Sequence, residues 1–264
     1  MKTGWKFELP TKNGGKQMIA LASDFDGTLY FGHDEVHFKE QDIQAIAQFQ
    51  KQGNQFGICT GRDLPSTLYP LTDRICCDFF IVVSGAAIYD KDRRLIYEKA
   101  MKRSTIQALY DSFYGQANMY IRTGFDVYEM QKSSHLSFLS KYVPSVSDLP
   151  NVPFQGVSFG CFSKEDAQRI TDLTNAYFGD EIIAYRNVRF VDIVAKGCSK
   201  GNALQIYKEK MQIDVMAGIG DFYNDIPLLE KADIAFTFTW SPDPVKAYAD
   251  HVVEDMAQAI DRLK

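Results

Sequence analysis

The stretch Met18-Ile-Ala-Leu-Ala-Ser-Asp24-Phe-Asp26-Gly27-Thr28-Leu-Tyr30 decides how the rest of the chain is read. It opens as an unbroken apolar run of strand length, the pattern of a strand buried on both faces. It ends in two carboxylates one residue apart, with glycine next. Side chains at i and i+2 of an extended chain point the same way, so Asp24 and Asp26 leave the strand toward one small volume. Gly27 lets the backbone turn there with no Cβ in the way. Open α/β sheets bind ligands at the carboxyl ends of their strands, which makes this strand end a candidate site.

Two carboxylates about 4 Å apart repel by roughly 4 kcal/mol at an effective dielectric near 20. They persist together when one is protonated or a cation sits between them. Oxygen-only ligands favour a hard divalent ion, and a site with few carboxylates that contacts a phosphate suits Mg²⁺. One acid can then serve as a nucleophile, and its neighbour can shuttle a proton.

The composition sets bounds. The chain has 264 residues, enough for one large domain or two smaller ones, with 45% hydrophobic and 24% charged residues, ordinary for a globular protein. Its net charge of −5 argues against nucleic acid or an anionic membrane as partner. No apolar run approaches transmembrane length, and the N-terminus lacks a signal-peptide core. The five cysteines (Cys59, Cys76, Cys77, Cys161, Cys198) form no Cys-x-x-Cys pair and read as reduced core thiols of a cytoplasmic protein. A monomer or weak homodimer is expected. The four histidines (His33, His37, His135, His251) have no ligand spacing.

Residues 1–17 read as a polar tail. Gly15-Lys16 lacks the remaining residues of a phosphate loop, with Pro10 and Gln17 where glycine and Ser or Thr belong. A helix is expected over 38–52 with Gly53 at its end, then strands at 54–59 and 79–84. This strand–helix rhythm indicates βαβ units and a parallel sheet. From 87 the rhythm changes to a hairpin at 87–98, a helix at 103–115 and two strands meeting at Thr123-Gly124. Helices near 134–141 and 163–178 follow, with strands at 154–162, 181–185 and 189–194. Paired strands with helices between them suggest an α+β insert whose aromatics (Tyr110, Phe113, Tyr114, Tyr120, Phe125, Tyr128, Phe138) form its core. The parallel rhythm then returns, with a helix after Ser199, a strand at 214–219, a helix begun by Pro227, a strand at 233–238 and a last helix at 255–263. The expected division is a core of 1–86 and 190–264 with an insert of 87–189.

Four places now offer chemical groups: Asp24 with Asp26, Thr60, Lys200 at a helix start, and Asp221 with Asn224 and Asp225. A hydroxyl and a helix N-terminus to hold phosphate oxygens, a lysine to neutralise charge and acids to hold a metal make a phosphoryl-transfer set. Asp24-Phe-Asp26-Gly-Thr28-Leu, Thr60-Gly61-Arg62, Ser199-Lys200-Gly-Asn-Ala-Leu and Gly220-Asp221-Phe-Tyr-Asn224-Asp225, in this order, resemble the four motifs of the haloacid dehalogenase-like superfamily. The insert between the second and third motifs, and Val245-Lys246-x-x-Ala249-Asp250-His-Val, resemble its Cof-type phosphatase branch.

The resemblance implies a Rossmann-like parallel sheet with helices on both faces, an α+β cap domain, and Mg²⁺-dependent hydrolysis of small phosphorylated metabolites. It implies that Asp24 is the nucleophile, forming a phosphoaspartate, and that Asp26 protonates the leaving alkoxide and later activates water. Lys200 would neutralise the phosphoryl group, and Thr60, Gly61, Arg62 and Asn224 would bind phosphate or substrate. Asp24, the main-chain carbonyl of Asp26, and Asp221 would hold Mg²⁺, with Asp225 supporting Lys200 or the metal. Two departures stand out: Ser84-Gly85 stands where the branch usually has Asn-Gly, and Thr239-Trp240-Ser241-Pro242-Asp243-Pro244 stands where it usually has a Gly-Asn-Ala sequence. Two other activities could use the same residues: a phosphotransferase or mutase, and a phosphometabolite-binding regulator without turnover.

Overall fold

The computed structural model describes residues 17–32, 36–71, 73–131 and 140–263. The N-terminal tail expected over 1–17 lies outside these except for Gln17, as do His33, His135, Phe138 and most of the helix expected near 134–141. In chain order the elements are β1 (Ile19–Ser23), α1 (Glu40–Lys51), β2 (Gln55–Cys59), α2 (Leu64–Leu68), β3 (Phe79–Val82), β4 (Ala87–Asp90) and β5 (Leu95–Glu98). There follow α3 (Arg103–Phe113), β6 (Ala117–Thr123), β7 (Asp126–Glu129), β8 (Ser140–Tyr142), β9 (Gly156–Cys161), α4 (Lys164–Phe178), β10 (Ile182–Asn187) and β11 (Phe190–Ala195). The chain closes with α5 (Lys200–Met211), β12 (Val215–Ile219), α6 (Ile226–Lys231), β13 (Ile234–Phe238), α7 (Asp243–Lys246), β14 (His251–Val253) and α8 (Met256–Asp261). Among the described residues no helix is long and apolar enough to cross a membrane.

Two compact units result. One comprises the chain up to Cys59, Thr72–Phe80 and everything from Lys200; the other comprises Thr60–Leu71 and Ile81–Ser199. In the first, strands run in the order β14-β13-β12-β1-β2-β3. The pairs β1–β12, β1–β2, β12–β13 and β13–β14 are all parallel. Every residue of β1, β12 and β13 is buried, as expected for strands covered on both faces. Chain order reverses between β1 and β12, so the right-handed crossover rule sends α1 and α5 to opposite faces of the sheet. That reversal is the switch point at which open α/β sheets place their ligands. Asp24 follows β1 there, and Gly220-Asp221 follows β12.

The second unit is built on a six-stranded sheet ordered β10-β11-β9-β6-β7-β8, antiparallel except at β7–β8. β6 alternates buried and half-buried residues, so its two faces differ. Met119, Ile121, Phe159, Val191 and Ile193 are buried, as are Ile106, Leu109 and Phe113 of α3 and Ile170 of α4. Phe113 meets Phe159 edge-on at 5.4 Å. The half-buried series of β6 carries Tyr120 and Arg122, with Ser158 and Asp192 in register beside Tyr120. The aromatics expected to form one core divide: Phe113 and Tyr128 are buried, whereas Tyr114 and Phe125 are more than half exposed. Between β3 and β4, Val83 and Ser84 both take left-handed backbone angles (φ 48° and 50°), a strain of about 1–3 kcal/mol each.

Four of the five cysteines are buried thiols as read; Cys76 is exposed, and all are free. β14, only three residues long, was not anticipated.

Candidate active site

Asp24 leaves β1 with its backbone N–H donating to Ile219 O at 2.9 Å, which ties the first acid to the end of β12. Lys200, the first residue of α5, directs its ammonium between two carboxylates, at 2.5 Å from Asp24 Oδ1 and 2.5 Å from Asp225 Oδ1. All three side chains are almost fully buried. Lys200 reaches this position because Gly201 lets α5 press against α6: a Cβ at Gly201 would lie 1.9 Å from the Pro227 carbonyl oxygen.

Asp225, expected to support Lys200 or the metal, does hold Lys200 and also folds back on its own turn. Its Oδ2 accepts the backbone N–H groups of Asp221 and Phe222 at 3.0 Å each, and its Oδ1 holds Lys200. Asp221 accepts a hydrogen bond from Thr28 Oγ1 at 2.8 Å, a contact that gives the motif's threonine a purpose no spacing rule assigns. Carboxylate oxygens of Asp24, Asp221 and Asp225 all lie within 4.8 Å of one another.

The electrostatics follow from this crowding. Burial and the Asp225 carboxylate push the Asp24 pKa well above the usual carboxylate range, despite Lys200. Burial and Asp225 push Asp221 up to about 6. Burial alone would discharge Lys200, but Asp225 and Asp24 more than offset it and hold its pKa above the ordinary lysine value. Three carboxylates stand against one ammonium. The surplus of negative charge and the all-oxygen donor set fit a hard divalent cation.

The remaining expected residues are placed as follows. Asp26 is exposed, on the turn that Gly27 N closes onto Tyr30 O at 3.0 Å, and its carboxylate is not in the acidic group. Asn224 is half-buried in the turn before α6. Thr60, Gly61 and Arg62 belong to the second unit. There the Arg62 N–H donates to Thr60 Oγ1 at 3.1 Å, and Val83 and Ser84 N–H groups donate to the Arg62 and Thr60 carbonyls at 2.7 and 3.0 Å. The Arg62 guanidinium turns back on its own loop, donating to Ser66 O at 2.9 Å. Trp240 is stacked on Phe238 at 4.2 Å, with the Lys39 ammonium 5.0 Å from its ring centre, and stays 47% exposed.

Residues 21–259 match the model of the haloacid dehalogenase-like hydrolase family. The chain belongs to that family. Within it, a 5-amino-6-(5-phospho-D-ribitylamino)uracil phosphatase of Bacillus subtilis is 24% identical over 238 residues, covering 89% of each chain. A glucosyl-3-phosphoglycerate/mannosyl-3-phosphoglycerate phosphatase of Persephonella marina is 25% identical over 82% of this chain and 83% of its own. The crystal structure of a haloacid dehalogenase-like hydrolase from Bacteroides thetaiotaomicron shares the fold with a TM-score of 0.80 at 18% identity, covering 94% of this chain and all of that one. A subclass IIB sugar phosphatase does so with a TM-score of 0.74 at 22% identity over 92% of this chain and 98% of its own.

Proposed function

We propose that this hydrolase, a phosphatase of the haloacid dehalogenase-like family, cleaves small phosphorylated metabolites such as sugar phosphates, using Asp24 as nucleophile and Mg²⁺ as cofactor. The observation that carries the reading is the buried Lys200 ammonium, 2.5 Å from both Asp24 and Asp225, with Asp221 in the same acidic group. A surface ion pair does not need two buried carboxylates with a third, half-buried one beside them. A group built to receive a phosphate dianion beside a cation does.

Asp24 attacks phosphorus and the bond to the leaving oxygen breaks, giving a phosphoaspartate. Asp26, exposed on the adjoining turn, donates a proton to that oxygen and later takes one from the water that releases phosphate. Lys200 holds Asp24 in place and balances the phosphoryl charge. Asp225 acts through Lys200 and through the backbone of Asp221 and Phe222. Thr60, Gly61, Arg62 and Asn224 bind the phosphoryl oxygens or the substrate, and the Arg62 guanidinium also donates to the Ser66 carbonyl of its own loop. Asp24, Asp221 and the Asp26 carbonyl would hold Mg²⁺, whose chemistry is neutralisation of the acids and of the phosphoryl oxygens.

The insert of 87–189 acts as a cap that excludes water and selects the substrate. The two curated relatives act on phosphates of polyhydroxylated molecules, which supports a small-metabolite substrate. Phosphate release from a panel of sugar and aryl phosphates, with Mg²⁺ and with a chelator, tests the reading. Turnover is expected with Mg²⁺ alone, and to be abolished in Asp24→Asn with the melting temperature kept. Metal-independent turnover, or activity in Asp24→Asn, would overturn it.

A further inference from the structure

The first unit carries a run of ring contacts that none of the chemistry above uses. Trp240, in the turn after β13, stacks on the buried Phe238 with ring centres 4.2 Å apart. The Lys39 ammonium stands 5.0 Å from the centre of the same indole and 4.8 Å from that of the Phe31 ring. Lys39 is the N-cap of α1, where its side chain makes no capping bond and a cation opposes the helix dipole. Helix stability therefore does not explain it, whereas attraction to two aromatic rings does.

Both ends of this run are fixed to backbone next to an acid. At one end, Ser241 closes the Trp240 turn: its N–H donates to Phe238 O at 3.1 Å, and its Oγ accepts the Phe238 N–H at 3.3 Å. Thr237 Oγ1 donates to Gly220 O at 2.8 Å, which ties β13 to the residue before Asp221. At the other end, the Phe31 N–H donates to His37 O at 2.9 Å and draws together the two sides of the loop that leads to Lys39. The sequence neighbours of Phe31 and Lys39 make a second stack, with Phe38 5.3 Å from Tyr30 and Tyr30 5.1 Å from Phe25. Phe25 is fully buried, and its carbonyl accepts the Leu29 and Tyr30 N–H groups at 3.1 and 2.8 Å. Asp26 lies inside that turn with its side chain exposed.

An exposed acid delivers a proton at one place only when its turn is held, and a displacement of about 1 Å can cost about a hundredfold in rate. We propose that Lys39 and Trp240 are positioning residues for Asp26. They clamp the loop that follows Asp26 to the end of β13, so that its proton reaches the oxygen that departs as Asp24 bonds to phosphorus. Trp240 belongs to the stretch that departs from the branch's usual Gly-Asn-Ala, which makes the clamp a feature of this chain rather than of its motifs. The inference rests on the reading of Asp26 as the general acid.

The test is kcat/KM of the full chain with Mg²⁺ for dinitrophenyl, nitrophenyl and phenyl phosphate, in the wild type, Trp240→Ala, Trp240→Phe, Lys39→Met and Asp26→Asn. The leaving groups rise in basicity along this series, up to a phenoxide like that of tyrosine, and need a proton increasingly as they depart. This constant reports the step in which the leaving oxygen departs. Trp240 is 47% exposed and Lys39 half-buried, so neither substitution opens the core. Trp240→Ala and Lys39→Met should lose about tenfold to a hundredfold on phenyl phosphate and less than about threefold on dinitrophenyl phosphate. Trp240→Phe, which keeps a ring for the ammonium, should recover most of that loss. Asp26→Asn should show the same dependence, with a loss of about a hundredfold or more on phenyl phosphate. No loss, or equal losses on all three substrates, in either Trp240→Ala or Lys39→Met would overturn the clamp while a leaving-group-dependent loss in Asp26→Asn upholds the acid. A loss in Asp26→Asn that ignores the leaving group would overturn the reading of Asp26 itself, and the clamp with it.

Discussion

In the first unit Lys200 lies 2.5 Å from each of two carboxylates, with 3% of its side chain exposed; in the second, Arg122 lies 3.3 Å from both Asp63 and Asp192, with 14% exposed. Both are one cation between an acid on a strand or strand end and an acid at a helix start, yet they differ in the third acid. Asp221 joins the Lys200 group and leaves it short of positive charge at the sheet's switch point. The Arg122 group has no such third member among the described residues, and its planar fork spends its bonds joining a helix cap to a β-sheet. A close, over-charged group suits the capture of a cation and a phosphoryl group. A looser one, whose bonds join the cap of α2 to β6 and β11, suits holding elements of its own unit together.

Removing each cation is the strongest way to break this contrast. Lys200→Met is expected to cut phosphate release by at least about a thousandfold. It should also cost roughly 3–5 kcal/mol of stability, since it strands Asp24 and Asp225 without their partner. Arg122→Met should cost about 1–3 kcal/mol, because its acids keep the Ser66 and Ser158 donors. Denaturant melts of both variants check this, and equal losses would erase the distinction. Gly201→Ala sharpens it from the backbone side: the new Cβ would strike the Pro227 carbonyl oxygen. Overpacking of about 1–3 kcal/mol is expected, with turnover down about tenfold to a hundredfold as Lys200 shifts.

The smallest effect concerns a buried acid that has no cation of its own. Asp42 accepts the Ala257 N–H at 3.0 Å, and burial pushes its pKa up to about 6, with Asp255 adding to the rise and Lys39 opposing it. A folded-state pKa above the unfolded value means that the fold binds this proton more tightly. The associated stability is therefore present below about pH 4 and lost as pH rises through about 6. Asp42→Asn should raise the unfolding free energy relative to wild type near about pH 7, by on the order of 1–3 kcal/mol in denaturant melts, and change it little near about pH 4. The same difference at both pH values would show that Asp42 does not titrate in the fold.

How much of this was legible in the sequence depended on spacing. The apolar run before Asp24 and the run before Asp221 announce buried parallel strands, and their ends carry the acids, so the first unit's site could be read from motifs alone. Lys200 could be read too, because a cation at a helix start is otherwise unfavourable. The role of Thr28 could not, nor could the grip of Asp225 on the backbone of Asp221 and Phe222, since both depend on side chains turning toward neighbours that only the fold supplies. Arg62 reads as a substrate contact by its place in Thr60-Gly61-Arg62, but no spacing marks the bond that its guanidinium makes to the Ser66 carbonyl. Arg122, Asp192 and Ser158 sit in the middle of strands far apart in sequence, where alternation reads them as solvent-facing positions and nothing local marks their meeting. β14 was missed because three residues carry too little periodicity to register.

The most direct test is to trap the phosphoaspartate. Borohydride added during turnover reduces an acyl phosphate to the alcohol, and peptide mass mapping then locates the modified side chain. Reduction at Asp24 is expected, dependent on substrate and absent in Asp24→Asn. Reduction at another carboxylate, or at none while phosphate is being released, would contradict the assignment of Asp24 as the nucleophile.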